Sequence, residues 1–400
     1  VEELMTLSHL PTARPNPFDP PPELAKAHAD GPITPLRFPD GHEGWLVTGH
    51  AAARQVLASP QFSSRPELAR MLVPVAGVNG PARETPPGMF SRMDPPDHTR
   101  IRRLLTGRFT VRRMRELAPR VDAITEEHLD RMRAQGPPLD LVEDYALPIP
   151  SLVICELLGV PYAQRKRFQQ DTAVLFDLSS GTATANSAWI SLGGLLSTLV
   201  QAKRRQPADD LISELIGTGE LTDQELVMVA IVLLAGGHET AASMIAHGVF
   251  ALLQHPEQLA RLRADVTLLD TTIEELLRYL SVFHIGPVRC ALDDVTVAGQ
   301  LVKKGDSVAI SLPAVNRDPA SFTNPDELDV TRSRHGHLAF GHGIHQCLGQ
   351  QLVRVELRSA IAGLLRLPGL RLAVPADEVP MRSNIAVHGV QRLPVAWDSV

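Results

Sequence analysis

The chain has 400 residues, 44% of them hydrophobic, and a formal net charge of −6 with both signs interspersed, which argues against nucleic acid or an anionic membrane surface as a partner. Its longest apolar run, residues 227–235, is too short to span a bilayer. Three cysteines, Cys155, Cys290 and Cys347, make no disulfide framework and point to a reducing cytoplasm.

The length exceeds the usual single-core size of about 250–300 residues. No linker, repeat or charge block divides the chain, however, so residues 1–400 are read as a single domain, with residues 1–30 as an extended, proline-rich lead-in. β-like runs over residues 34–38 and 45–48 flank the turn signal Pro39-Asp40-Gly41. Apolar residues at steps of three and four then predict helices over residues 51–58, 96–106, 111–135, 149–158 and 163–176. Between them, residues 62–95 are rich in proline and glycine and too long for a simple connector, a size at which loops are commonly functional.

Thr222-Asp223-Gln224-Glu225 is a capping box, which starts a helix at Asp223. The helix is expected to end near Gln254, before Pro256, at a length of roughly 48 Å. Residues 227–246 are apolar on nearly all sides, so it is expected to cross the core. Short strands are predicted over residues 295–298, 301–302, 308–310, 386–390 and 393–396. The fold class is therefore mainly α with a minor β region, built around one long central helix.

Near the C-terminus, Phe340-Gly341-His342-Gly343-Ile344-His345-Gln346-Cys347-Leu348-Gly349 wraps one cysteine in glycines just before an amphipathic stretch. Glycine lets backbone approach a flat cofactor, and a loop entering a helix aims free N–H groups at the sulfur. A lone thiolate suits a metal whose other ligands come from a macrocycle, as in thiolate-ligated haem. The competing readings are an inert buried thiol and a zinc site with His335, His337, His342 and His345. Zinc lacks support from any C-x-x-C or H-x-x-x-H spacing.

At these ten residues the chain resembles the cytochrome P-450 family of haem-thiolate monooxygenases and matches F-G-x-G-x-H-x-C-x-G at every fixed position. The resemblance implies the P-450 fold, haem b as cofactor and O2 as co-substrate, with Cys347 as the metal ligand and Phe340, Gly341, His345 and Gly349 around the cofactor. It also covers Ala235-Gly236-Gly237-His238-Glu239-Thr240, which stands inside the apolar helix. Each glycine there costs about 1 kcal/mol relative to alanine, and a buried carboxylate needs a partner. One reading is close packing of a second helix, with Glu239 paired to an arginine. The other is a local opening of the helix where dioxygen fits beside Ala235 and Gly236 and where Thr240 and Glu239 deliver protons.

The propionates of a haem need cationic or hydrogen-bonding partners. The resemblance assigns His98 and Arg102, four apart on one helix face, together with Arg289 and His345. Glu275-Leu276-Leu277-Arg278 is an E-x-x-R pair that resembles the family's structural network, completed by Arg332. Glu67-Leu68-Ala69-Arg70 fits the same pattern by chance. Substrate-pocket candidates are Val232, Phe283, Ile285, Val288 and Ile385, mostly apolar, as suits a bulky lipophilic molecule such as a polyketide, terpenoid or steroid.

The implied electron donors are a ferredoxin and a ferredoxin reductase, docking near Arg102, Arg103, Arg112, Arg113 and Arg354. The expected protein is a cytoplasmic monomer. Alternatives are a family member that couples aryl rings or uses peroxide, and a haem-thiolate sensor without catalysis.

Overall fold

A computed structural model describes residues 6–74, 84–333, 336–383 and 385–398. His335, weighed above as a zinc ligand, lies outside the described residues. The lead-in is not extended throughout, because helix α1 occupies Pro22–Asp30. Pro22 falls in the first turn, where proline is preorganised for helix, and Leu24 and Ala27 bury one face. Packing thus overrides the proline-rich composition.

Strands β1 (Ile33–Arg37) and β2 (Glu43–Val47) pair antiparallel across the turn at residues 39–41, with Ile33 opposite Val47. Helix α2 (His50–Ala58) follows. The long stretch after it holds β3 (Phe62–Ser63) and a 3₁₀ turn at Phe90–Arg92. Next come α3 (Asp97–Thr106), α4 (Val111–Gln135), β4 (Leu139–Asp140), α5 (Pro148–Leu158) and α6 (Arg165–Phe176). Helix α7 (Thr182–Arg205) has no counterpart in the periodicity reading. Its Gly193-Gly194 pair and exposed Ile190 blur the apolar stripe, and only a sparse row that includes Leu192 and Leu196 is buried.

After α8 (Leu211–Thr218), helix α9 runs over Asp223–Gln254 with both hydrogen bonds of the capping box in place. Glu225 N donates to Thr222 Oγ1 at 3.2 Å, and Thr222 N donates to the Glu225 carboxylate at 2.9 Å. By length and composition α9 would pass for a membrane span. Instead it packs against α5, α7 and further helices, with buried residues along its length from Leu226 to Leu252.

The chain continues through α10 (Pro256–Ala264), α11 (Leu269–Leu280), β5 (Val288–Ala291), β6 (Val295–Val297), β7 (Gln300–Val302) and β8 (Ser307–Ile310). It ends with α12 (Leu312–Val315), α13 (Gln350–Leu365), β9 (Arg371–Leu372) and β10 (Pro394–Ala396). The main sheet has the order β1-β2-β8-β5-β3, and β4-β10-β9 and β6-β7 form two smaller ones. Residues 386–390, expected as a strand, form isolated bridges instead. Their N–H groups go to different neighbours, Ala386 N to Phe176 O and His388 N to Val282 O, so no ladder develops. The architecture is a mainly helical body with a small sheet region at one side, and α9 and the loop before α13 face each other inside it.

Candidate active site

Cys347 sits in a loop held by backbone hydrogen bonds, Cys347 N to Phe340 O at 2.9 Å and Gln346 N to Gly343 O at 3.0 Å. Gly343 has φ +75°, and a Cβ there would lie 2.4 Å from Leu57 O at the end of α2. Any side chain would therefore push the loop off the body of the protein. Burial pushes the Cys347 thiol up from its usual value, against the pull of the Gly349 and Gln350 N–H groups and the Arg102 and Arg354 cations. These two N–H groups open α13, so the helix terminus points at the sulfur.

A cavity of about 360 Å³ separates this loop from α9. Cys347, Phe340, Gly341, His345 and Gly349 line one side, and Val232, Gly236, Gly237 and Thr240 line the other. Ala235, expected beside the cofactor, is not among the lining residues. A Cβ on Gly236 would meet nothing within 4 Å, which leaves a flat cradle on the helix.

Polar atoms without partners gather at His345, which lines the cavity, and at His98 behind it. Both ring nitrogens of His98 and Nε2 of His345 are buried without a hydrogen-bond partner, and the two rings lie 4.2 Å apart. Burial and the neighbouring cations hold His345 down to about 3, and burial lowers Arg289 to about 10. The nearby carboxylate of Asp94 is already engaged by Ser63 Oγ and Ser64 N. Arg102 reaches across to Gln346 O at 2.6 Å. Buried donors left in this state are costly. His98, Arg102, Arg289 and His345 thus match an anionic group that enters with a cofactor, and with Cys347 and the Gly236 cradle the residues present fit haem.

Helix α9 is continuous through residues 235–240, so the glycine pair does not break it. Thr240 Oγ1 donates to Gly236 O at 2.9 Å. A Cβ on Gly237 would come within 3.0 Å of Ile154, so α5 approaches closely at this point. The Glu239 carboxylate is buried and accepts from Arg382 Nη1 at 2.7 Å. Close helix packing and an arginine partner are therefore both present, and Thr240 lines the cavity as well. His238 is fully buried between Leu234 O at 2.7 Å and Thr172 Oγ1 at 3.0 Å.

The structure joins Glu275, Arg278 and Arg332. Arg278 donates from Nε and Nη2 to the two Glu275 oxygens, each at 2.8 Å, and Arg332 Nε lies 3.0 Å from Oε2. Glu67 and Arg70 take different partners, Arg65 and Asp40. Sequence reasoning missed two neighbours of this network. Asn316 O accepts from Arg278, while its side-chain oxygen accepts from Leu338 N at 2.7 Å, which ties the network to the start of the cysteine loop. Glu274 holds His337 at 3.1 Å and Arg354 at 2.6 Å. Burial opposes its ionisation, but these hydrogen bonds hold Glu274 down to about 2. A second acid next to an E-x-x-R glutamate was the available signal.

The pocket candidates divide. Val232 and Phe283 line the cavity at Cys347, Ile285 and Ile385 line a second cavity, and Val288 lines neither. Among the arginines considered for docking, Arg102 turns inward and the others pair with acids, Arg103 with Glu220, Arg112 and Arg113 with Glu116, and Arg354 with Glu274.

Residues 157–384 match the family described as Cytochrome P450. The chain is 50% identical over 388 residues to cytochrome P450 105C1 of a Streptomyces species, covering 96% of this chain and 97% of that protein. It is 41% identical to vitamin D3 dihydroxylase of Streptomyces griseolus, covering 92% and 91%. The crystal structure of CYP105P1 in complex with filipin I superposes with a TM-score of 0.91 at 41% identity, covering 98% of this chain and all of that one. A cysteine loop facing a glycine-bearing helix, with unpartnered histidine nitrogens beside it and full-length relatives of this kind, places the chain in the cytochrome P450 family of haem-thiolate monooxygenases.

Proposed function

We propose that this chain is a single-domain, monomeric cytoplasmic enzyme that binds haem b and receives electrons from a ferredoxin and its reductase. It inserts one atom of O2 into a C–H or C=C bond of a bulky lipophilic molecule of the polyketide, terpenoid or steroid kind. The observation that carries this reading is one cavity with Cys347 on one wall and Thr240 on the other, lined also by His345, whose Nε2 is buried without a partner, with the unpartnered ring of His98 beside it. The similarity to a vitamin D3 dihydroxylase and to a filipin I complex supports a lipophilic substrate.

Haem bound here supplies dioxygen activation, which the polypeptide alone lacks. Cys347 would hold the iron, and His98, Arg102, Arg289 and His345 would hold the propionates. Thr240 keeps a hydroxyl proton at the cavity wall, and Glu239, one residue along α9, holds the next proton-exchanging group away from bulk water. Val232 and Phe283 exclude water and orient an apolar substrate. The Glu275, Arg278 and Arg332 network supports the loop through Asn316.

The test is reconstitution with a ferredoxin and ferredoxin reductase, after a screen of lipophilic natural products for the change in haem absorption on binding. A hydroxylated or epoxidised product from a hit is the expected result. Electron consumption without any oxygenated product across all hits would overturn the reading.

A further inference from the structure

Glu274 and Glu275 stand side by side on α11 and take different partners. Glu275 holds Arg278 and Arg332, whereas Glu274 takes Arg354 of α13 in two hydrogen bonds, Nε to Oε1 at 2.6 Å and Nη2 to Oε2 at 3.0 Å. The same carboxylate accepts from His337 Nε2 at 3.1 Å. His337 Nδ1 in turn accepts from Ala339 N at 3.2 Å, so the imidazole carries its proton on Nε2 and brings no charge to the set. One anion therefore stands against one cation.

The place of that cation gives it a role beyond the pair. The Arg354 guanidinium lies 4.7 Å from the centre of the Phe340 ring, a cation on an aromatic face. Phe340 lines the cavity at Cys347, and its carbonyl accepts from Cys347 N. Arg354 Nη1 is anchored on Gln350 O at 3.1 Å and on Gln350 Oε1 at 3.2 Å, in the first turn of the helix that points at the sulfur. Burial pushes the Cys347 thiol up, and among side chains Arg102 and Arg354 pull it down. With Arg102 engaged by a propionate, Arg354 is left to act on the sulfur. Its side chain is 27% exposed and that of Glu274 15%, so water and salt screen the pair only in part.

Charge beside a metal-bound thiolate bears on how readily the metal accepts an electron. A cation favours the reduced state and an anion opposes it. We infer that Arg354 and Glu274 are positioning residues that set the electron affinity of the haem iron from outside the cavity. Arg354 raises that affinity from its place on Phe340, and Glu274 holds the guanidinium there while cancelling part of its charge. This inference rests on Cys347 as the haem ligand.

The midpoint potential of the substrate-free holoprotein, titrated spectroscopically with redox mediators and without ferredoxin, tests it. Glu274→Gln removes the anion and keeps an amide that can hydrogen-bond, and it is expected to raise the potential. Arg354→Gln should lower it, each shift amounting to about three- to tenfold in the reduction equilibrium, the scale of one unit charge acting through a partly screened wall. The Glu274→Gln, Arg354→Gln double variant should return close to the unaltered protein, because its net charge at this place is the same. Arg354→Lys keeps the charge without the planar fork and should lie nearer to the unaltered protein than Arg354→Gln. Single variants that shift with the same sign, with reversed signs or not at all overturn the assignment, since a merely structural pair has no reason to follow charge. Should one single variant fail to take up haem, the sign of the other decides. Loss of the thiolate-type absorption from the unaltered reduced, carbon monoxide-bound protein would strike the ligand reading, whereas unshifted potentials with that absorption intact strike this one alone.

Discussion

Glu239 and Arg382 meet at 2.7 Å, 143 residues apart in sequence, with the carboxylate buried one position before the threonine that lines the cavity. Removal of the guanidinium leaves a buried charge unpaired. Arg382→Leu is expected to cost about 3 kcal/mol or more, read as a drop in the thermal midpoint. The Glu239→Leu, Arg382→Leu double variant should regain most of it, because neither charge then remains buried.

Thr240 presents the hydroxyl nearest in sequence to Glu239. Thr240→Ala should leave the fold intact and divert electrons from product to hydrogen peroxide, whereas Thr240→Ser should preserve coupling. Peroxide and product measured against electron donor consumed distinguish the outcomes, and full coupling in the alanine variant would remove Thr240 from proton delivery.

Cys347 is the one cysteine among the described residues that line the cavity. Cys347→Ser should abolish the thiolate-type absorption of the reduced, carbon monoxide-bound protein, and an unchanged spectrum would reject the ligand assignment. Cys155 and Cys290 are buried elsewhere, so their conversion to alanine should leave that absorption in place.

Glu275 and Glu67 begin the same four-residue pattern but differ in burial and partners. Glu275→Ala is expected to cost about 3–5 kcal/mol, because Arg278 and Arg332 lose their shared carboxylate. Glu67→Ala removes a partner from the exposed Arg65 and should cost no more than about 1 kcal/mol. Denaturant unfolding of the two variants gives the comparison.

Acid should act first through histidines. Burial, and after it the charge of Arg14, hold His247, His284 and His388 to about 3, 4 and 2. The unfolded chain takes up these protons near pH 6.5 and the folded one does not. Stability is therefore full above pH 6.5 and falls below it, by up to about 1.4 kcal/mol per pH unit for each imidazole, until the folded values are reached. The thermal midpoint should begin to drop before carboxylates titrate, and a His247→Gln, His388→Gln variant should flatten the slope.

The cysteine loop, the capping box and the span of α9 were legible because each rests on local chemistry that a few adjacent residues express. The pairing of Glu275 with Arg332 was legible only through the resemblance to the family, since an E-x-x-R pattern alone also fits Glu67 and Arg70. What stayed hidden depends on distant partners. Arg382 lies in a segment whose composition says nothing of Glu239, and α7 buries too sparse a row to declare its period. The helix that breaks the N-terminal lead-in follows from Leu24 and Ala27 finding a core to enter, which no window of sequence contains. Glu239 with two glycines admitted both a packing and a chemical account; the close packing and the arginine partner are present, while the helix stays continuous where the chemical account expected an opening.

The segment of residues 283–287 has one further consequence. Phe283 and Pro287 look toward Cys347, and His284 and Ile285 look the other way. A substitution at Ile285 therefore reshapes the outer chamber without entering the inner one, and a substitution at Phe283 does the reverse. The walls of the two cavities are thus separately adjustable, through neighbours on a single strip of backbone.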